Sequence, residues 1–266
     1  MDTREFQEII WQKGNELFRD MPWREDTRPY YVLVSEIMLQ QTQVERVVPK
    51  FEAFIAAFPD VSSLAAASLA DVLTLWSGLG YNRRAKFLHL AAQKIMNDFN
   101  GVFPEALNEL VSLPGVGVNT AGALLAYSFN QPSLFIETNV RTVYFHHFFE
   151  DAASVTDKEL KEVVERTLDR EHPREWYWAL MDYGSFLKRQ GVGRNDKSHH
   201  YKKQSALKGS VREVRGQIVK ALSSRDSTVE ELKLELSADD RFPVALAGLV
   251  RDGLVSETAG RLHLAR

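Results

Sequence analysis

Strand-like alternation is nearly absent from this chain before residue 253, whereas apolar residues recur at helical spacing along most of it. That contrast confines the fold. Segments 3–19, 43–57, 83–98, 157–169 and 173–188 each gather their apolar residues on one helical face. Such faces are buried against other helices, so an all-α architecture is expected. Turn residues separate the segments, as at Phe58-Pro59-Asp60 and Phe99-Asn100-Gly101. A length of 266 residues suits two domains, at roughly 150 residues each, and can bury a core without covalent staples. There is no cysteine, which excludes a disulfide framework, thiolate-held zinc or iron–sulfur groups, and a thiol nucleophile. No apolar run approaches the ~18 residues of a membrane span. The first residues, MDTREFQEIIWQKG, carry acids where a signal sequence has an apolar block. A soluble, cytoplasmic protein is expected.

Charge divides the chain unevenly. The formal net charge is −3, yet residues 188–220 hold ten basic side chains against Asp196 and Glu213. Residues 1–187 are correspondingly acidic. A basic tract within an acidic protein suits a polyanion, or else it is a solvated linker. Segment 191–210, polar and poorly periodic, reads as that linker. Beyond it, 212–223 forms an amphipathic helix, Ser227 or Thr228 caps a second that ends near Leu236, and 242–251 forms a third. Leu254–Glu257 and Arg261–Leu264 then read as a hairpin. Three helices and a hairpin make a winged-helix pattern over 211–266. Helix 242–251 would be its recognition helix, but it offers only Arg241 and Arg251 for base contacts, which favours packing or a protein partner.

Three segments carry chemistry. In Leu113-Pro114-Gly115-Val116-Gly117 an apolar helix end meets a Pro-Gly-x-Gly turn, and Val118-Asn119-Thr120-Ala121-Gly122 begins another helix. Outward-facing amides in such a turn suit a phosphate, as in a helix-hairpin-helix grip on DNA; the plainer reading is a helix corner. In Ser35-Glu36-Ile37-Met38-Leu39-Gln40-Gln41-Thr42 an acid sits inside an apolar helix, where desolvation would raise its pKa for general acid work. Clustered amides follow it, suited to base edges or insertion into a stack; a capped, solvated helix end is the plainer reading. In Phe135-Ile136-Glu137-Thr138-Asn139 an acid again follows a buried run, just where a helix would start, and a simple N-terminal charge is the alternative. His146-His147 and His199-His200 lack a third ligand at suitable spacing, so no metal site is expected. The aromatic cluster at 176–178 reads as packing.

Together these segments resemble the helix-hairpin-helix (HhH-GPD) DNA glycosylases, and within them the MutY-type adenine-DNA glycosylases. The resemblance covers about residues 1–190. It rests on Met21-Pro22-Trp23-Arg24, the SEIMLQQTQV segment, Gly78-Leu79-Gly80-Tyr81, the LPGVG hairpin, Asn139-Val140-Arg141 and Ala179-Leu180-Met181-Asp182. It implies a glycosylase domain over 1–190, made of a six-helix subdomain at 22–132 and a second helical subdomain of 1–21 plus 133–190, with the DNA cleft between them. Glu36 matches the acid that protonates the adenine ring and later handles the water. Glu137 falls where the family has the aspartate that stabilises the sugar cation, with Asn139 beside it. Trp23, Arg24 and Asp182 match the pocket for the flipped base, and Asn119 faces that pocket. Gln41 and Tyr81 match the wedge that enters the duplex. Gly115, Val116 and Gly117 match the backbone grip, extended here by Lys188, Lys197, Lys202 and Lys203.

The chemistry agrees with the resemblance. Cleaving an N-glycosidic bond calls for protonation of the base and stabilisation of a cationic sugar, hence two carboxylates with separated pKa values. The base must also leave the stack. Departures from the family are equally informative. Glu137 is one methylene longer than the family aspartate. Asn119 replaces the Schiff-base lysine of bifunctional relatives, so no lyase step is expected there. Lys188 stands at the first of the four cluster-cysteine positions, and the domain that reads 8-oxoguanine is replaced by the winged-helix-like unit. The expectation is a monomeric, monofunctional, cluster-free enzyme of base excision repair acting on double-stranded DNA. Its substrate would be adenine in a mispair. The alternatives are thymine or uracil opposite guanine, or a mispair-binding protein that does not cut. A monovalent or divalent cation at the hairpin 113–117 is the one inorganic partner left open.

Overall fold

The structure, a computed structural model, describes residues 1–192 and 206–265. Its elements in order are α1 (Thr3–Leu17), α2 (Pro22–Glu25), α3 (Pro29–Leu39), α4 (Val44–Ala57), α5 (Val61–Ala66), α6 (Leu69–Trp76), α7 (Arg83–Asp98), α8 (Leu107–Val111), α9 (Val118–Phe129), α10 (Thr138–Phe148), α11 (Asp157–Thr167), α12 (Pro173–Arg189), α13 (Val211–Leu222), α14 (Val229–Glu235), α15 (Arg241–Arg251), β1 (Val255–Thr258) and β2 (Arg261–Leu264). They group into two compact units. One contains 1–33, 105–111 and 116–192; the other contains 34–104, 112–115 and 206–265. This division differs from one at 22–132. Helix α9 goes with the N-terminal helix because it packs on α12, as α1 does.

In the first unit α12 is the hub, with α1, α9 and α10 against it. Aromatic side chains fill the contacts: Phe6 meets Tyr144 at 5.0 Å and Trp176 at 6.0 Å between ring centres. Helices α10 and α12 cross at Gly184, where a Cβ would stand 2.2 Å from the Asn139 carbonyl oxygen. Any side chain at 184 would push α10 away, and the start of α10 bears Glu137 and Asn139. Phe135 stacks on Tyr177 at 3.9 Å, and the Tyr177 hydroxyl donates to Ser133 O at 2.8 Å. The segment leading into Glu137 is thereby held on α12.

In the second unit α7 packs on α5 and α6. Its buried stripe of Arg84, Leu88, Ala91 and Ile95 follows the helical period. The C-terminal residues form the expected three helices and antiparallel hairpin, Val255 pairing with Leu264 and Thr258 with Arg261. Its two-residue turn, Ala259-Gly260, has positive φ at both positions, which suits the twist of the strands. Both α13 and β2 lie against α6. Lys86 Nζ donates to the carbonyls of Asp252 and Gly253, at 2.8 and 3.4 Å, at the end of α15. The winged-helix-like module therefore belongs to the same compact body as 34–104.

Candidate active site

Glu137 is the N-cap of α10 but makes no side-chain cap bond to its own helix. Its carboxyl is left for other work. The position is held by Asn119, whose Nδ2 donates to Ile136 O at 3.2 Å while its Oδ1 accepts from Ile136 N at 3.4 Å. Both faces of that amide are committed to the backbone beside Glu137, a positioning job that a lysine could not do. Glu137 is half-buried, and burial pushes its carboxyl above the ordinary carboxylate range. Two residues on, Asn139 Oδ1 accepts from Lys188 Nζ at 3.3 Å. Lys188 is exposed on the last turn of α12. It thus lies beside the Glu137 segment.

Trp23, Arg24 and Asp182 are buried in the same unit, at 6%, 8% and 2% exposure. Arg24 forks onto Asp182 with contacts of 2.7 and 3.1 Å. Arg19 joins it through Nε at 2.7 Å, a partner that the sequence pattern did not reveal. The Arg24 guanidinium also lies 5.3 Å from the ring centres of Phe18 and Trp178. Two guanidiniums thus answer one buried acidic side chain. Arg19, Arg24 and Asp182 therefore form one ion-paired cluster.

In the second unit Glu36 is half-buried on α3 between the buried Ser35 and Ile37. Gln41 and Tyr81 sit at loop tips with φ of 57° and 48°, a left-handed conformation that bulky residues rarely adopt. One buried side chain pins both loops. Arg84 donates to the carbonyls of Ile37, Met38, Gln40, Leu79 and Gly80 and to Thr42 Oγ1. Burial lowers its pKa to about 10. Trp76 Nε1 adds a bond to Gly80 O at 3.1 Å, and Arg46 Nη2 donates to Gly78 O. Arg84 carries no local motif; its signal in the sequence is an arginine in register with the apolar stripe of α7.

The hairpin keeps its expected shape. Gly115 has φ of 80°, and a Cβ there would stand 2.8 Å from Phe87 Cβ. Gly117 is the N-cap of α9, adds no side-chain cap, and has open space where a Cβ would point. Val116 between them is buried, at 5% exposure. Lys197, Lys202, Lys203 and the His199-His200 pair lie outside the described residues. His147 Nε2 is 3.1 Å from the Tyr183 hydroxyl. Among the described residues no three His, Asp or Glu side chains gather as a metal site, and no helix is long and apolar enough to cross a membrane. The cluster that the resemblance would imply does not fit. There is no thiolate donor in the chain.

This arrangement of helices defines a helical base-excision glycosylase fold. A solved thermostable thymine-DNA glycosylase superposes with a TM-score of 0.64 at 24% identity, over 69% of this chain and 86% of that one. Residues 34–170 match the model of the HhH-GPD superfamily of base excision DNA repair proteins, and the chain belongs to that superfamily. The adenine DNA glycosylase of Buchnera aphidicola is 35% identical over 173 residues, 64% of this chain and 48% of that protein. The chain thus spans about half the length of that relative. The adenine DNA glycosylase of Mycobacterium tuberculosis is 34% identical over 92% of this chain and 89% of its own length. That alignment covers more than residues 1–190 contain, so the likeness reaches into the C-terminal module.

Proposed function

We propose that the protein is a monofunctional DNA glycosylase that removes adenine from a mispair in duplex DNA. The observation that carries this reading is Glu137, a half-buried carboxylate at the start of α10 that makes no cap bond and is held in place through Asn119. Such a group suits a transition state in which positive charge develops on a sugar. The likeness to named adenine DNA glycosylases supports the choice of base.

In this mechanism the adenine leaves the stack as Gln41 and Tyr81 enter it, and it is received against Trp23, Arg24 and Asp182. Glu36 gives its proton to a ring nitrogen, the N-glycosidic bond breaks, and neutral adenine departs. The sugar cation faces the Glu137 carboxylate. Water adds to the anomeric carbon, and its proton returns to Glu36. Asn119 offers no amine for a Schiff base, so strand cleavage does not proceed through that position. The hairpin at 115–117 and the basic side chains Lys188, Lys197, Lys202 and Lys203 hold the phosphate backbone, and the enzyme acts as a monomer. A panel of duplexes with a single mispair, assayed in single turnover, tests this reading. Release of adenine from its mispairs supports it. Release only of thymine or uracil opposite guanine, or tight binding with no abasic product, replaces it.

A further inference from the structure

The module at 206–265 is joined to the loop that carries Tyr81, and charged side chains make the joint. Arg212, the second residue of α13, donates through Nη1 to the Tyr81 hydroxyl. Its guanidinium carbon also lies 4.9 Å from the centre of the Tyr81 ring. The guanidinium of Arg84 is 5.5 Å from the same ring. Nearby, Asp252 takes a bond from Arg215 at 2.6 Å and lies 4.0 Å from Arg83, two residues beyond Tyr81 in the chain. Lys86, three residues further on, reaches the end of α15. The polar contacts of the module therefore converge on the tyrosine and on the first turn of α7 behind it.

This placement has a mechanical meaning. Tyr81 is held at positive φ, and its loop carbonyls are already fixed from within by Arg84, Trp76 and Arg46. Those bonds act on the loop backbone. Arg212 acts on the ring itself: a planar guanidinium bonded to the hydroxyl and lying against the ring bears on its attitude from a distant part of the chain.

We propose that Arg212 is a positioning residue for base extrusion, through which the C-terminal module holds Tyr81 in the orientation that enters the duplex. The inference rests on the proposed function in taking Tyr81 as the wedge. The test is a double-mutant cycle on the full chain with R212A, Y81A and the double variant, supplemented by R212K and Y81F. Extrusion is read from 2-aminopurine placed beside the adenine of an adenine–guanine mispair, and base release from single turnover at saturating enzyme. R212A is expected to lower both about tenfold, but to change either by less than about twofold once Tyr81 is already alanine, because contacting residues couple. R212K should rescue part of the loss, since it keeps the charge but not the planar fork. Y81F, which loses only the hydroxyl bond, should fall between wild type and Y81A. If R212A does not fold, R212K and Y81F carry the cycle. Independent effects of the two residues overturn the proposal. So does an R212A that weakens binding equally on matched and mispaired duplex while the extrusion signal stays at the wild-type level. If the wild type extrudes the base without releasing it, the proposed function falls, and the fluorescence cycle still decides the role of Arg212.

Discussion

Replacing Arg84 with methionine should both destabilise the protein and slow base release. Methionine preserves most of the volume on the buried face of α7, so the change isolates the guanidinium. The four N–H groups of its two terminal nitrogens serve six acceptors on the loops at 37–42 and 79–80. At roughly 1.5 kcal/mol for each bond from a charged donor, they contribute about 6 kcal/mol. Burial opposes them. A pKa lowered from 12.5 to about 10 corresponds to a desolvation cost of about 3 kcal/mol, which methionine does not incur. The Arg84 Nε, buried without a partner, adds nothing on the favourable side. The net expectation is a loss of about 3 kcal/mol. For a chain of this size that lowers Tm by roughly 6–12 °C. Because Glu36 immediately precedes the first of these carbonyls, the rate should fall as well, even when assayed well below the lowered Tm. Arg84→Lys offers a point charge in place of a fork and should recover only part of either loss. Thermal melts and single-turnover base release, measured on the same preparations, check both effects. A Tm within about 2 °C of wild type, together with an unchanged rate, would refute the claim that this side chain holds the loops.

Three further outcomes follow from the same geometry. Burial raises the Glu137 pKa, so folding favours its protonated form. Its stabilising contribution is complete below the unfolded carboxylate pKa and is lost as pH rises through the folded value. Glu137→Gln should therefore melt above wild type at neutral pH, with the gap closing in acid, while base release is lost; a lower Tm at neutral pH contradicts this. Asn119→Ala removes both bonds to Ile136 and should slow release about tenfold with little change in DNA affinity, and unchanged kinetics would remove Asn119 from its positioning role. Neutralising Lys197, Lys202 and Lys203 together should weaken binding similarly on matched and mispaired duplex and flatten the salt dependence by up to about three units of slope; parallel salt titrations would mean that the tract only links.

Helices were legible because their packing faces repeat in sequence. The segments expected at 83–98 and 173–188 emerge at 83–98 and 173–189, and the terminal hairpin forms with its first strand one residue later than expected, at 255–258, and its second at 261–264. Of the candidate site, the local placement was legible: an acid inside an apolar helix at Glu36, and a Pro-Gly-x-Gly turn at 114–117. What escaped depends on residues far apart in the chain. Nothing around Arg84 announces carbonyl partners more than forty positions earlier. Asn119 read as a replaced lysine facing the base pocket, and its work on Ile136 emerges only when the start of α9 meets the segment before α10. The joint between Arg212 and Tyr81 spans 131 positions, and a charge count of 188–220 could not distinguish it from a solvated linker.

In the proposed reaction two carboxylates, Glu36 as acid and Glu137 as counter-charge, release adenine from mispaired DNA. It is tested most directly by single-turnover base release from an adenine mispair by wild type and Glu36→Gln, with DNA affinity measured alongside. General acid–base catalysis typically contributes ~10²–10⁴-fold, and in the proposed reaction Glu36 acts in both halves. Wild type should release adenine, and Glu36→Gln should lose at least about a hundredfold in rate at nearly unchanged affinity. A variant that works within about tenfold of wild type would contradict the account.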